Sequence, residues 1–123
     1  MQTKTNLNLK PHLIEMGLSD KEAQVYLSLL EIGKGTVAVI ARAAGIQRTT
    51  GYSILDALVA KGLAIVSGKE PKQEYIAEKP EKIAEFLKEN ISQLQEQLKK
   101  AQGIAPQLKS IHKSGSKAQV RFL

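Results

Sequence analysis

The chain has 123 residues, 42% of them apolar, enough to bury the core of one compact domain and too many for wholesale disorder. It holds no cysteine, which excludes a disulfide framework and a thiolate metal site and fits a reducing compartment. Eighteen Lys plus Arg against twelve Asp plus Glu leave a formal net charge of +6, so a polyanion is the partner class to look for.

With no Trp, two Phe and three Tyr, the predicted core is aliphatic. Residues 1–8 are polar and read as loose. Pro11 suits the first turn of a short helix that runs to about Met16 and ends at Gly17. A second helix starts at Ser19, which has the capping-box spacing to Glu22. Ala23, Tyr26, Leu27, Leu30 and, on the flank, Leu29 form its apolar stripe, and Gly33 stops it. Thr36 caps a short third helix, Val37 to Ala44, that Gly45 terminates. The fourth runs from about Gln47 to Lys61 and closes at Gly62.

Beyond Leu63 the period changes. AIVS (64–67) and QEYIA (73–77) are β-prone runs around the turn residues GKEPK, which predicts a hairpin with a basic tip. Pro80 opens a long helical pattern in which Leu87, Ile91, Leu94, Leu98, Ala101, Ala105 and Leu108 step by four and three. Such a stripe seeks a partner helix, a dimer seam in preference to packing back on its own domain. Gly103 and Pro106 interrupt the pattern and predict a kink or break. KAQVRFL at the end alternates like a strand.

The predicted fold is mainly α with a small β-hairpin: a winged helix-turn-helix over 1–79, a long amphipathic coiled-coil dimerisation helix over 80–112, and a basic tail or strand over 113–123. Ala41 and Gly45 let the third and fourth helices cross closely, with Ile40, Ala44, Ile46 and Ile54 between them. The excess charge lies on residues 36–73, where Arg42, Arg48, Lys61, Lys69 and Lys72 face only Asp56 and Glu70, and on the tail. The fourth helix then presents its first turn outward, the geometry by which a recognition helix reaches base edges in a major groove. Arg48 can donate a bidentate pair to guanine, Thr49, Thr50 and Ser53 can donate to phosphate or bases, and Tyr52 can reach a backbone oxygen. Lys69 and Lys72 would meet the adjacent backbone as a wing, and Arg42 adds to the same charge. Competing readings stand beside these: Thr49 or Thr50 as the helix cap, and Tyr52 as half-buried packing.

Double-stranded DNA is the partner this pattern favours, bound by a homodimer that joins through Leu87, Ile91, Leu94, Leu98, Ala101 and Leu108. A winged-helix protein-interaction module without DNA binding is the alternative. An enzyme is disfavoured. His12 and His112 are the chain's two histidines and neither has ligand spacing; Glu78, Glu81, Glu85 and Glu89 sit among lysines as a solvated helical face. No phosphate-cradling glycine loop or nucleophile motif appears, so neither a cofactor nor a metal is expected. No signal-peptide pattern heads the chain and no apolar run approaches a membrane span, which makes the cytoplasm the expected location.

The stretches MGLSDKEAQVYLSLLEIG, ARAAGIQRTTGYSILDALVAKGLA and QEYIAEKPEKIAEFL together resemble the TrmB-like transcriptional regulators of archaea and bacteria, over about residues 13 to 123. The resemblance implies a winged-helix DNA-binding domain, a coiled-coil dimer linker, and control of metabolic genes from palindromic operators. It places Arg48, Thr49 and Thr50 on the recognition helix. Two departures stand out. Gly51 occupies a position where that family commonly has a branched apolar residue; either the site beneath is too tight for a side chain or a hole is tolerated, and the resemblance favours the hole. Typical members also continue into a C-terminal effector domain that binds sugars, so this chain is expected to be a fragment or a shortened member, and no effector site is assigned to it.

Overall fold

A computed structural model describes the backbone of residues 2–112 and the side chains of residues 8–112. Helix α1 spans Gln2–Glu15, α2 Asp20–Ile32, α3 Val37–Ala44, α4 Arg48–Ala60 and α5 Lys82–Ile111. Strands β1 (Lys34–Gly35), β2 (Ala64–Ser67) and β3 (Glu74–Ala77) form an antiparallel sheet in the order β1-β3-β2. The chain divides into two compact units that meet between Leu87 and Lys88.

Helix α2 forms where capping chemistry puts it. The Ser19 hydroxyl accepts the Glu22 N–H at 3.0 Å, and Glu22 Oε1 accepts the Ser19 N–H at 3.0 Å. Gly33, at φ 87°, ends the helix by donating its N–H to the Leu29 carbonyl. Thr36 caps α3 by accepting the Val39 N–H, and Gly45 closes it in the left-handed conformation. These four expectations hold.

The start of the chain departs from expectation. Helix α1 begins at Gln2 and carries Pro11 in its interior, where residues 1–8 read as loose and Pro11 as a first-turn residue. Pro11 removes one N–H from the helical ladder. Later turns of α1 are nonetheless held: Leu13 is buried, and Lys10 Nζ donates to Asp20 at 3.0 Å and to Gln24 at 3.2 Å. Gln24 in turn donates its amide to the Ala44 carbonyl, so one half-buried side chain of α2 links α1 to the end of α3.

The core of the first unit is aliphatic with two aromatic anchors. Val25, Leu29, Ile40, Leu55, Leu58 and Leu63 are fully buried, as are Tyr26 and Tyr75. Val25 lies off the stripe expected for α2; it is buried because α2 is enclosed by α1, α3 and α4 rather than packed on one side. Ile83 and Phe86 pack against this core, so the first turns of α5 contribute to the winged unit.

The hairpin pairs Ala64 with Ala77 and Ser67 with Glu74. Strand β1, absent from the sequence reading, pairs Gly35 with Tyr75 and Lys34 with Ile76 on the other edge of β3. In the second unit α5 is continuous through Gly103 and Pro106, so of the expected kink or break the break is absent. Both residues lie off the apolar stripe: Gly103 is two residues from Ala101 and from Ala105, on the opposite face of the helix, and Pro106 is turned away likewise. The alternation of KAQVRFL falls outside the described residues.

Candidate nucleic-acid interface

Helix α4 crosses α3 at close range because both contribute small residues there. A Cβ built on Gly51 would lie 3.2 Å from Ala41 Cβ and 3.3 Å from Val37 Cγ1. The site under Gly51 is therefore tight, and the expected hole is not there. The space is filled by α3 itself, through Ala41 and Val37.

This crossing turns the first turn of α4 outward. Arg48, Thr49 and Ser53 are exposed, and Thr50 and Tyr52 are half-buried. Gln47 is the N-cap and makes no side-chain capping hydrogen bond, so neither Thr49 nor Thr50 caps the helix. Both lie inside the first turn. The turn's N–H groups thus stay open to an anion, on the positive end of the helix dipole. Ser53 already donates its hydroxyl to the Thr50 carbonyl at 3.2 Å.

Tyr52 does two things at once. Its ring packs against the core, and its hydroxyl accepts from Arg48 Nη2 at 3.5 Å, with the guanidinium carbon 6.0 Å from the ring centroid. The hydroxyl, and at longer range the Glu70 carboxylate, hold the Arg48 guanidinium above its ordinary value. Arg48 is a fixed positive charge at any pH the protein meets.

Lys69 and Lys72 are exposed in the turn between β2 and β3, where the Lys72 N–H donates to the Lys69 carbonyl at 2.7 Å. Arg42 is exposed near the end of α3. Lys61 does not belong with them. It sits at the far end of α4 from Arg48, and its ammonium is held by Glu22 Oε2 at 3.1 Å. Glu22 thereby serves the α2 cap with one oxygen and anchors α4 with the other.

One contact that the sequence reading missed ties the hairpin to this helix. The buried Tyr75 of β3 donates its hydroxyl to Asp56 Oδ1 at 2.7 Å. Burial, then this hydrogen bond, push the Tyr75 phenol above its ordinary value. Among the described residues no group of His, Asp or Glu is placed to hold a metal ion, and no helix is long and apolar enough to cross a membrane.

Residues 13–81 match the family described as sugar-specific transcriptional regulator TrmB. The match stops short of the long helix, whereas the resemblance reached to about residue 123. The HTH-type sugar sensing transcriptional regulator TrmBL1 of Pyrococcus furiosus is 32% identical over 89 residues, which are 72% of this chain and 26% of that protein. The chain thus spans about a quarter of that relative's length. TrmBL2, an archaeal chromatin protein whose structure shows a novel mode of DNA binding, superposes with a TM-score of 0.66 at 22% identity, over 89% of this chain and 41% of its own. A MarR family transcriptional regulator from Silicibacter pomeroyi superposes at 0.51 with 21% identity, over 94% of this chain and 68% of its own. These likenesses show a winged helix-turn-helix fold.

Proposed function

The chain belongs to the TrmB family of transcriptional regulators, and from that premise we propose that it is a sequence-specific, cytoplasmic DNA-binding protein acting as a homodimer on a palindromic operator. Helix α4 enters the major groove. Arg48 reads a guanine through a bidentate pair, while Thr49, Thr50 and Ser53 contact bases or phosphates. Tyr52 reaches a backbone oxygen, Arg42 adds phosphate contact, and Lys69 and Lys72 lay the hairpin along the backbone as a wing. The stripe Leu87, Ile91, Leu94, Leu98, Ala101 and Leu108 joins two copies. Nothing in this reading calls on catalysis, a metal or a cofactor.

The observation that carries it is the outward first turn of α4: an exposed arginine and uncapped N–H groups on a helix that α3 locks from behind through the Gly51–Ala41 contact. A salt series on duplexes selected from a random library tests it. With about four to six phosphates neutralised per dimer, log affinity falls against log salt with a slope of about −4 to −5. Arg48→Ala costs about 1–3 kcal/mol on the selected site and relaxes base preference at one position per half-site. Lys69→Ala weakens all sequences about equally. A flat salt response would favour the protein-docking alternative, and equal loss on random and selected DNA would reduce Arg48 to a phosphate contact.

A further inference from the structure

We propose that Tyr52 is the positioning residue for Arg48: it aims the guanidinium for base readout, in addition to any contact of its own with the DNA backbone. The inference rests on the DNA-binding reading above and deepens it.

Arg48 and Tyr52 are four residues apart on α4, one above the other on the same face. They differ in how firmly they are held. Tyr52 is half-buried with its ring against the core, which fixes the direction of its hydroxyl. Arg48 is exposed and long, and a free arginine of that kind forfeits much rotamer entropy when a base pair captures it. A fixed acceptor beside the guanidinium removes part of that loss in advance. The Tyr52 hydroxyl is such an acceptor, 3.5 Å from Nη2. At this length the bond aims the arginine without clamping it, and the 6.0 Å ring contact adds a weak attraction in the same direction.

The donor count supports the assignment. A guanidinium has five N–H groups, and the contact to Tyr52 occupies one on Nη2. The other N–H on Nη2 and those on Nη1 remain as a fork for guanine O6 and N7. The Tyr52 oxygen accepts from Arg48, so its own hydrogen stays available for a phosphate. The acid on the same helix face does not compete: Asp56 lies two turns further on and is engaged by the Tyr75 hydroxyl at 2.7 Å.

Tyr52→Phe keeps the packed ring and removes the acceptor. Wild type, Tyr52→Phe, Arg48→Ala and the double variant are compared on duplexes selected from a random library by the wild-type chain, and on the same duplexes with the Arg48-dependent base pair replaced. For Tyr52→Phe the melting temperature stays at the wild-type value, and discrimination at that base pair falls by about three- to tenfold, the range of one hydrogen bond. Affinity for random DNA falls only by the loss of the Tyr52 backbone contact, by the same factor with and without Arg48, and its salt slope holds steady because the phenol carries no charge. In the Arg48→Ala background, Tyr52→Phe changes discrimination no further. If Arg48→Ala abolishes discrimination and Tyr52→Phe leaves it at the wild-type level, the positioning role is overturned and the DNA reading stands. If Tyr52→Phe costs the same affinity on every duplex with or without Arg48, Tyr52 is an independent backbone contact, and the positioning role again falls. If Arg48→Ala changes no base preference, Arg48 is a phosphate contact and the positioning role falls, while the DNA reading stands or falls on the salt slope.

Discussion

The Tyr75 hydroxyl on β3 donates to Asp56 on α4 at 2.7 Å, so the hairpin and the helix with the exposed arginine share a hydrogen bond. The ring of Tyr75 is buried while Asp56 is exposed. Tyr75→Phe therefore keeps the packing and loses a charge-assisted bond whose acceptor can rehydrate. Its cost should fall below the usual range for such bonds, to about 1 kcal/mol, or a fall in melting temperature of roughly 4–8 °C. The pH response has a definite sign. The folded state holds the Tyr75 proton more tightly than the unfolded chain, first through burial and then through Asp56. That contribution is complete below the ordinary tyrosine value near pH 10 and is lost as the pH rises above it. Wild type should lose stability more steeply than Tyr75→Phe above that point. Parallel alkaline declines in urea titrations would show that the bond contributes nothing.

Gly51→Ala opposes two effects of known size. Alanine improves the helix by about 1 kcal/mol over glycine. Against this, the new Cβ meets Ala41 Cβ at 3.2 Å and Val37 Cγ1 at 3.3 Å. Ala41 Cβ is rigidly attached to the α3 backbone and cannot turn aside, so α3 and α4 must separate slightly. Overpacking of a close-packed core costs about 1–3 kcal/mol, and we expect it to win. The melting temperature should fall by several degrees, and a branched residue at 51 should be worse. A rise with alanine would mean that the helices part without penalty.

How much of this was legible in the sequence depends on where the cause lies. Helices α2 and α3 were readable because Ser19, Glu22, Gly33, Thr36 and Gly45 act on their own neighbours. The hairpin was readable from its turn residues and change of period. Strand β1 was not, since a strand of 2 residues has no alternation to show and exists through the free edge of β3. The Arg48–Tyr52 spacing was visible, but not that the core would seat the ring and leave the hydroxyl beside the guanidinium. The same limit applies to charge. Lys61 and Lys69 look alike in sequence, and the tertiary position of Glu22, 39 residues before Lys61, separates them. Gly51 stood out as a helical glycine, yet whether its site was empty or full was a fact about α3.

Tyr26 presents the reverse case from Tyr75. Its side chain is buried in the core, and its hydroxyl has no hydrogen-bond partner among the described residues. Burial pushes its phenol above the ordinary value, as expected of a group that would be costly to ionise there. A buried hydroxyl without a partner is destabilising relative to hydrogen in the same shape. Tyr26→Phe should therefore raise the melting temperature by a few degrees, about 1 kcal/mol, with no change in DNA affinity. A fall would indicate that the oxygen is satisfied in solution.

The long helix makes the strongest demand for a partner. Ile91, Leu94, Leu98 and Leu108 are each 55–63% exposed along one stripe of α5. Their steps of four and three keep to a repeat of seven, which holds apolar residues on the seam of two wound helices. Gly103 and Pro106 fall off that seam, so they weaken the helix without interrupting its contact surface. Replacing Leu94 and Leu98 together with Glu places two charges on the seam of each copy, four in the dimer, where their desolvation opposes association. Sedimentation should then show monomers, while the winged unit keeps its melting transition because its core ends before these residues. Affinity for a palindromic duplex should collapse toward that for a single half-site, since the second contact no longer benefits from the first. Affinity for the half-site itself should persist. An unmodified chain that sediments as a monomer at roughly tens of micromolar would remove the dimer, and with it the palindrome, from the proposed function.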